Sequence, residues 1–175
     1  MPGQRSAITS RIEIETAWGL FTAVITERGV RELFLPPSPP VKCVNITSIT
    51  LPYHSPKTEA EILSNRAASQ IHEYISGERT FFDLPFDLEG YSLFRRDVWR
   101  CLCSIPFGSV LSYGEVAAFI DNPLSSRAVG QACGSNPVPL MIPCHRVVGA
   151  HGKIGGFSIG LDWKHFLFKH EGIVL

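Results

Sequence analysis

The strongest chemical signal in the sequence lies at residues 142–146, where a cysteine is followed directly by a histidine. Cysteine reacts as the thiolate, and an adjacent histidine is a base that can remove the thiol proton. Pro143 precedes the pair, and residues 147–149 end in glycine, so the pair does not lie on the apolar face of a helix. The pattern therefore predicts a nucleophile, Cys144, with its own base, His145.

The Cys–His pair also has other interpretations. Cys144 can be an ordinary buried thiol, and His145 can be a core histidine with satisfied hydrogen bonds. A cysteine hydrolase or a thiol-based sensor would use the same pair, but a hydrolase also needs an oxyanion hole, for which the sequence supplies no evidence. Cys101 and Cys103 are two residues apart in a predicted helix and so do not face each other. With no pair of CxxC or HxxxH spacings, we predict no metal and no cofactor.

Length and composition limit the class of protein. The chain has 175 residues and 45% hydrophobic residues, enough for one domain or two small ones with packed cores. No run reaches the ~18 apolar residues of a transmembrane helix, and no signal peptide is apparent. Five cysteines form no recognisable disulfide framework. We therefore expect a reducing, intracellular location, the cytoplasm, and no membrane partner.

The charge is divided unevenly along the chain. The formal net charge is zero, but residues 1–90 carry 8 Lys+Arg against 11 Asp+Glu, whereas residues 91–175 carry 8 against 5. The basic excess is therefore on the part that contains Cys144. Because this excess is small, any binding to DNA should involve few phosphate contacts and a small salt dependence.

The first ninety residues predict a small α/β domain. Alternating and β-branched residues between 12 and 35 predict a hairpin or three-stranded meander, which the prolines at 36–40 end. Residues 41–57 read as a loop. Helical spacing from Thr58 to Gly77, with Glu61 three residues after Thr58, predicts a capped helix. A further strand is predicted at residues 81–88, before a domain boundary near residues 88–92.

The second half predicts helices with clear start signals. A helix should begin at Ser92, and residues 112–115 form a capping box that opens another helix through Ile120. Ser125 and Ser126 should cap a third, rich in Ala and Gly, so that two short helices joined by a tight turn make a helix-turn-helix. We assign Trp99 and Trp163 to core packing. The predicted fold is an α/β N-terminal domain, a small antiparallel sheet plus a helix, followed by an all-α domain.

The order of motifs between Phe94 and Gly172 resembles the methylated-DNA–protein-cysteine methyltransferases, also called alkylguanine-DNA alkyltransferases. The matching segments are residues 113–115, 127–130, 136–137, 143–147 and 170–172. The resemblance implies direct, single-turnover transfer of an alkyl group from O6-alkylguanine, and also O4-alkylthymine, in DNA to a cysteine. It implies an RNase H-like, structural domain at 1–90 and a helix-turn-helix alkyl-acceptor domain at 91–175. A binding protein without transfer is the alternative within this resemblance, but in such proteins the cysteine is replaced.

The resemblance also implies roles for residues at the matching positions. Cys144 is the alkyl acceptor, His145 deprotonates it through a water molecule, and Glu171 orients the histidine. The remaining catalytic positions are Asn136, which braces the turn, and Tyr113, which donates to N3 of the leaving guanine.

The resemblance also implies a monomer that is associated with the nucleoid in a prokaryote or nuclear in a eukaryote. Its contacts with DNA are implied in the same way. Double-stranded DNA is bound through its minor groove with the alkylated guanine flipped out, and Arg127 enters the stack in its place. The other implied DNA-binding positions are Phe94, Gly114, Asn122, Ala128 and Ser135. The implied base pocket consists of Val147, Phe157, Ser158 and Ile159.

One segment departs from the family pattern. Residues 156–160 carry Phe157 where a tyrosine is usual and Ile159 where a small residue is usual. On this basis Ile159 is predicted to narrow the base pocket, with poorer acceptance of large groups such as benzyl and retained activity on methyl. The N-terminal part also lacks the Cys and His ligands of the structural zinc that some relatives carry.

Overall fold

The computed structural model describes residues 8–41 and 58–175, and the chain divides into two compact units, Met1–Gly90 and Tyr91–Leu175. The loop predicted for residues 41–57 falls, apart from Val41, outside the described residues. Within the described ranges no helix is long and apolar enough to cross a membrane.

The first unit contains the predicted three-stranded antiparallel sheet, which is therefore confirmed. Its strands are β1 (Ile8–Thr16), β2 (Gly19–Thr26) and β3 (Gly29–Phe34), in that order across the sheet. Phe21 and Ala23 are fully buried. Side chains in a strand point to opposite faces in turn, so these two residues, two positions apart, both lie on the core face of the sheet. Gly29, at a φ of +140°, closes the β2–β3 turn beside Pro85, whose carbonyl a Cβ at this position would strike.

The predicted helix of the first unit is also present. Helix α1 spans Glu59–Ser76, and Thr58 and Glu61 form the predicted capping box. The hydroxyl of Thr58 accepts from the Glu61 amide at 3.2 Å, and the Glu61 carboxylate accepts from the Thr58 amide at 3.3 Å. Gly77 ends the helix in the left-handed conformation that glycine adopts without strain.

The strand predicted at residues 81–88 is wrong. This segment makes only an isolated bridge, in which the amide of Val30 donates to Pro85 at 2.9 Å and the amide of Asp87 donates to Val30 at 3.0 Å. Pro85 has no amide hydrogen to continue a ladder. Side chains hold the segment instead, since the Asp83 amide donates to Gln70 Oε1 at 2.9 Å.

The second unit consists of four helices and two very short strands. The helices are α2 (Leu93–Cys103), α3 (Tyr113–Phe119), α4 (Ser126–Gly134) and α5 (Leu161–Glu171). Strands β4 (Leu111–Ser112) and β5 (Val147–Val148) pair in parallel, which the all-α prediction did not include. Single 3₁₀ turns lie at Cys144–Arg146 and Ala150–Gly152.

The helix starts and the core of this unit follow the sequence signals with one exception. Ser92 caps α2, and Ser112 and Glu115 form the capping box of α3. Ser125 precedes α4 but makes no capping hydrogen bond; its hydroxyl instead donates to the Asn122 carbonyl at 2.7 Å. Its φ and ψ of −96° and 16° differ from the extended conformation that a capping hydroxyl requires.

The two tryptophans assigned to the core are buried, which confirms that interpretation. Trp99 is fully buried and Trp163 is 1% exposed. The indole nitrogen of Trp99 donates to the Ala132 carbonyl at 2.9 Å, so α2 is fixed against α4 by a buried hydrogen bond as well as by packing. This contact sets the position of the helix that precedes the Cys144 segment.

Candidate active site

The Cys144 thiol is buried and held by an asparagine. Cys144 begins the 3₁₀ turn and is 3% exposed. The Asn136 amide nitrogen Nδ2 donates to Sγ of Cys144 at 3.0 Å and to the Ile142 carbonyl at 2.7 Å, while its Oδ1 accepts from the Val138 amide at 3.0 Å. All three bonds are local, so Asn136 fixes the turn and presents a donor to the sulfur.

His145 and Glu171 form a buried pair across the second unit. Nε2 of His145 lies 2.8 Å from Oε1 of Glu171, and both side chains are 0% exposed. Burial lowers the pKa of His145, an effect that its hydrogen bond to Glu171 only partly opposes. The histidine is therefore neutral. Because an ionised carboxylate only accepts, Nε2 carries the proton, and Nδ1, which has no hydrogen-bond partner among the described residues, is left basic.

Arg146 holds the carboxylate that orients His145, and the sequence reasoning did not select it. Its guanidinium donates from Nε to Oε2 of Glu171 and from Nη2 to Oε1, both at 2.9 Å, and from Nη1 to the Ile105 carbonyl at 2.6 Å. Burial alone would raise the pKa of Glu171, but the hydrogen bond from His145 and the hydrogen bonds and positive charge of Arg146 hold it well below its usual range. Such a fork contact fixes both oxygens.

Lys164 is the other functional candidate that sequence reasoning missed. Its side chain is fully buried, and Nζ donates to the Val147 carbonyl at 2.7 Å. Burial lowers the pKa of this ammonium to about 8, while the negative charge of the Cys144 thiolate would raise it. Lys164 lies three and four residues before the buried Leu167 and Phe168, a spacing that indicates a shared helix face but does not by itself show that the charge is buried.

The electrostatics keep the resting thiol protonated. Burial raises the pKa of Cys144 to about 11, and the Asn136 donor and the Lys164 charge oppose this effect. A thiol with this pKa reacts slowly with solutes at neutral pH. Attack on a substrate therefore requires a base that acts within the site.

Cys144 opens onto a small cavity of about 270 Å³, called here the Cys144 cavity. Its lining residues are Tyr113, Gly130, Cys133, Gly134, Cys144, Gly156, Phe157 and Ser158. Phe157 and Ser158 were predicted to line the base pocket. The other two residues predicted for the base pocket, Val147 and Ile159, do not line this cavity, and their contact with the base stays a prediction.

Tyr113 is the first residue of α3 and lines the Cys144 cavity. Burial raises the pKa of its hydroxyl, so it stays a proton donor at neutral pH. Gly155, at a φ of +65°, passes close to this ring: a Cβ at Gly155 would lie 3.1 Å from the Tyr113 hydroxyl oxygen. The glycine therefore makes room for the hydroxyl.

The predicted DNA-binding residues lie on α2, α3 and α4, in the turn between α3 and α4, and at Ser135, directly after α4. Arg127 and Asn122 are exposed, as is Gly114, where a Cβ would lie 3.8 Å from Oγ of Ser126. Phe94, Ala128 and Ser135 are half-buried. Their contact with DNA stays a prediction. No group of three or more His, Cys, Asp or Glu suited to a metal ion occurs in the part of the chain that the structure describes.

Comparison with known families gives one matching domain model. Residues 93–173 match the model described as the DNA-binding domain of 6-O-methylguanine DNA methyltransferase. The match covers α2 to the end of α5, and so includes every residue of the site described above.

Two curated proteins with related sequences carry the same name. A methylated-DNA–protein-cysteine methyltransferase of Methanosarcina acetivorans is 46% identical over 114 residues, which are 65% of this chain and 72% of that protein. The protein of the same name from Mycolicibacterium paratuberculosis is 50% identical over 105 residues, 60% of this chain and 63% of its own length.

Among solved structures, the Mycobacterium tuberculosis OGT crystallised in complex with DNA is similar over nearly the full length. The TM-score is 0.70 with 33% identity, covering 91% of this chain and 90% of the mycobacterial one. The similarity thus includes the N-terminal unit, which the domain model does not reach.

Proposed function

The chain belongs to the methylated-DNA–protein-cysteine methyltransferases, and from this membership we propose that it repairs DNA by direct transfer of the alkyl group of O6-alkylguanine, and also of O4-alkylthymine, to Cys144. The observation that carries the proposal is the Cys144 thiol, which opens onto a small cavity, accepts a hydrogen bond from Asn136 and is followed by the buried His145–Glu171 pair. An alkylated-base-binding protein without transfer would not need this nucleophile.

The proposed first step removes the thiol proton. Nδ1 of neutral His145 accepts it through a water molecule, and the resulting imidazolium is stabilised by the carboxylate of Glu171. Asn136 and the Lys164 ammonium stabilise the thiolate, whose negative charge would otherwise be unfavourable in this buried site.

The second step moves the alkyl carbon. Sγ of Cys144 forms the bond to carbon as the bond from carbon to O6 breaks, and the bonding electrons leave with the guanine. The Tyr113 hydroxyl, which stays protonated, donates to N3 as negative charge develops on the base. The proton taken by His145 goes to the departing guanine. The product is a thioether, from which sulfur is a poor leaving group, so Cys144 is not regenerated and each molecule acts once.

The burial of Cys144 determines how DNA must be presented. The sulfur of a cysteine that is only 3% exposed cannot reach a base inside a duplex, so the alkylated nucleotide rotates out, which costs a few kcal/mol. Arg127, exposed at the start of α4, fills the vacated place in the stack. The small residues of α4, Ala128 among them, allow its backbone to approach the minor groove closely. We place this monomer in the cytoplasm, where it reaches the DNA.

A mass measurement tests the proposal. The protein is incubated with a duplex oligonucleotide that carries one O6-methylguanine, beside Cys144→Ala. We expect the intact mass of the wild-type chain to rise by one CH₂ unit, once per molecule, with no change in the variant. Exposed Cys103→Ser serves as the matched cysteine control and should react like the wild type.

Two other results would indicate a different function. Retained binding to the lesion without a gain in mass would favour a binding protein. Repeated turnover with an unmodified Cys144 would favour a cysteine hydrolase.

A further inference from the structure

The wall of the Cys144 cavity includes a second cysteine, which the proposed mechanism does not use. Cys133 lies in α4, is 8% exposed and belongs to the wall of the cavity together with Cys144. It was not among the site residues expected from the sequence. The two cysteines are eleven positions apart in sequence, and the fold brings them to the same enclosed space.

A shared cavity makes any group on one sulfur a neighbour of the other. An alkyl group transferred to Cys144 has to occupy this space of about 270 Å³, because the thiol opens onto it and is otherwise buried. Holding two reacting groups together in this way replaces a bimolecular encounter by an intramolecular one, with effective concentrations that can reach ~10⁵ M or more in well-oriented cases. Cys133 is therefore placed to react with a reactive end of that group.

We propose that Cys133 is a second acceptor, which closes a two-carbon bridge between the two sulfurs when the transferred group is a 2-chloroethyl group. The inference rests on the proposed function, since Cys144 must first take the chloroethyl group from O6 of guanine. The substrate class is an O6-alkylguanine whose alkyl group carries a leaving group on its second carbon.

The bridging step is balanced without an added oxidant or reductant. Transfer leaves Cys144 as a 2-chloroethyl thioether. Sγ of Cys133 then forms a bond to the carbon that carries chlorine, and chloride leaves with the electron pair of the broken bond. The Cys133 proton is released, so the chain gains C₂H₂ in total and loses both thiols.

The surroundings supply a group for that proton. Burial raises the pKa of Cys133 to about 12, and the positive charge of Lys164 opposes this effect, so the thiol needs assistance to ionise. Lys164, with its pKa lowered to about 8, has a neutral fraction that can accept the proton near that pH. Nζ of Lys164 is itself held by the Val147 carbonyl and does not line the cavity, which favours Cys133 as the nucleophile.

The bridge would have a protective consequence. A chloroethyl thioether left in the site is still an alkylating agent, and the DNA that has just donated the group is the adjacent nucleophile. When Sγ of Cys133 bonds to the second carbon, chloride is lost and the group can no longer alkylate DNA. We therefore expect fewer covalent protein–DNA products than in a chain that lacks this thiol.

The test uses the full chain and a duplex with one freshly prepared O6-(2-chloroethyl)guanine. Wild type, Cys133→Ser and the exposed-thiol control Cys103→Ser are compared by intact mass and by peptide mapping, and each is also reacted with the O6-methylguanine duplex. We expect a gain of C₂H₂ and a Cys133–Cys144 bridge in the wild type and in Cys103→Ser. Cys133→Ser should instead carry a chloroethyl or hydroxyethyl group on Cys144, with more protein joined to DNA.

The two reactions separate failure of the inference from failure of the function. A normal methyl gain together with an unbridged chloroethyl or hydroxyethyl group in the wild type overturns the inference alone. A bridge that maps to Lys164, or one that persists in Cys133→Ser, overturns it as well. No gain from either duplex overturns the proposed function and the inference with it. Because the decisive map is that of the wild type, the outcome does not depend on the folding of the variant.

Discussion

Nδ2 of Asn136 lies 3.0 Å from Sγ of Cys144, so the nucleophile has a fixed donor before any substrate arrives. The same nitrogen donates to the Ile142 carbonyl at 2.7 Å, which ties the position of the donor to the backbone just before Pro143. A donor held in this way stabilises the thiolate more than the thiol, because hydrogen bonds to charged groups are the stronger ones. Asn136 therefore lowers the energy of the attacking species and not merely that of the fold.

We expect Asn136→Ala to slow methyl transfer. A hydrogen bond to a charged group contributes about 1.5–3 kcal/mol, which corresponds to a rate about 10- to 100-fold lower. Single-turnover transfer from an O6-methylguanine duplex, measured by quenched time points, checks this value. Asn65→Ala, on the exposed face of α1, is the matched control and should leave the rate unchanged. An unchanged rate in Asn136→Ala would contradict the role assigned to the amide.

The pH profile should identify His145 as the base. Because burial lowers its pKa below the ordinary 6.5, the neutral form that accepts the proton persists to lower pH than in a free histidine. We expect the wild-type transfer rate to be constant just below pH 6.5 and to fall only under more acid conditions. In His145→Gln the rate should be about 10²- to 10⁴-fold lower at pH 7.

The variant should also change the shape of the profile. Without a base, the rate depends on spontaneous ionisation of Cys144, whose pKa is raised to about 11, so the rate of His145→Gln should rise steadily with pH through the alkaline range. The exposed His151→Gln is the control and should keep the wild-type profile. A wild-type profile in His145→Gln would exclude this histidine as the base.

Lys164 should set the alkaline limit of the reaction. Its ammonium, with a pKa lowered to about 8, favours the thiolate only while it is charged, so the wild-type rate should decline above pH 8. Lys164→Met keeps much of the volume but removes the charge. We expect a lower rate at pH 7 and the loss of the alkaline decline, since no lysine then titrates beside the sulfur. The exposed Lys169→Met, on the same helix, should show neither effect.

The buried cations Lys164 and Arg146 show what the sequence alone could not predict about the site. Lys164 and Arg146 lie among apolar residues, but whether such a charge is buried depends on partners distant in sequence. Arg146 is buried because Glu171 and the Ile105 carbonyl receive its donors. By contrast, the cap at Thr58 and the pairing of Cys144 with His145 are local, and short-range patterns identified them.

The same distinction applies to the strand that the sequence predicted wrongly and to the segment after Cys144. Ile159 follows Phe157 and Ser158 but does not line the Cys144 cavity with them, because the path of an irregular segment is not determined by its pattern. Residues 81–88 have strand-like composition, but the segment makes only one bridge, at Val30. Cys133 lines the cavity because of how α4 packs, and no spacing in the sequence indicates this position.

Arg127 should matter for duplex DNA more than for the chemical step. We expect Arg127→Ala to slow transfer from a duplex, because no side chain then fills the stack when the nucleotide rotates out, and to leave reaction with the free base O6-methylguanine nearly unchanged. Comparing the two substrates in the same variant separates these effects. Arg100→Ala removes an exposed charge on α2 whose pair with Asp97 contributes little, and it serves as the control. Equal losses on both substrates would contradict the stacking role.

Methylation of Cys144 should destabilise the protein. The thiol is 3% exposed and already in contact with Asn136, so an added methyl group has to displace its neighbours or occupy the cavity. Adding a methylene to a packed site costs about 1–3 kcal/mol, and for a chain of this size each 1 kcal/mol lowers Tm by roughly 2–4 °C. We expect thermal unfolding of the methylated protein, freed of DNA, to begin several degrees below that of the unreacted protein. Cys144→Ala treated with the same duplex should show no change. An unchanged Tm in fully methylated wild type would mean that the cavity accepts the methyl group without rearrangement, and that alkylation by itself does not mark the spent protein by unfolding it.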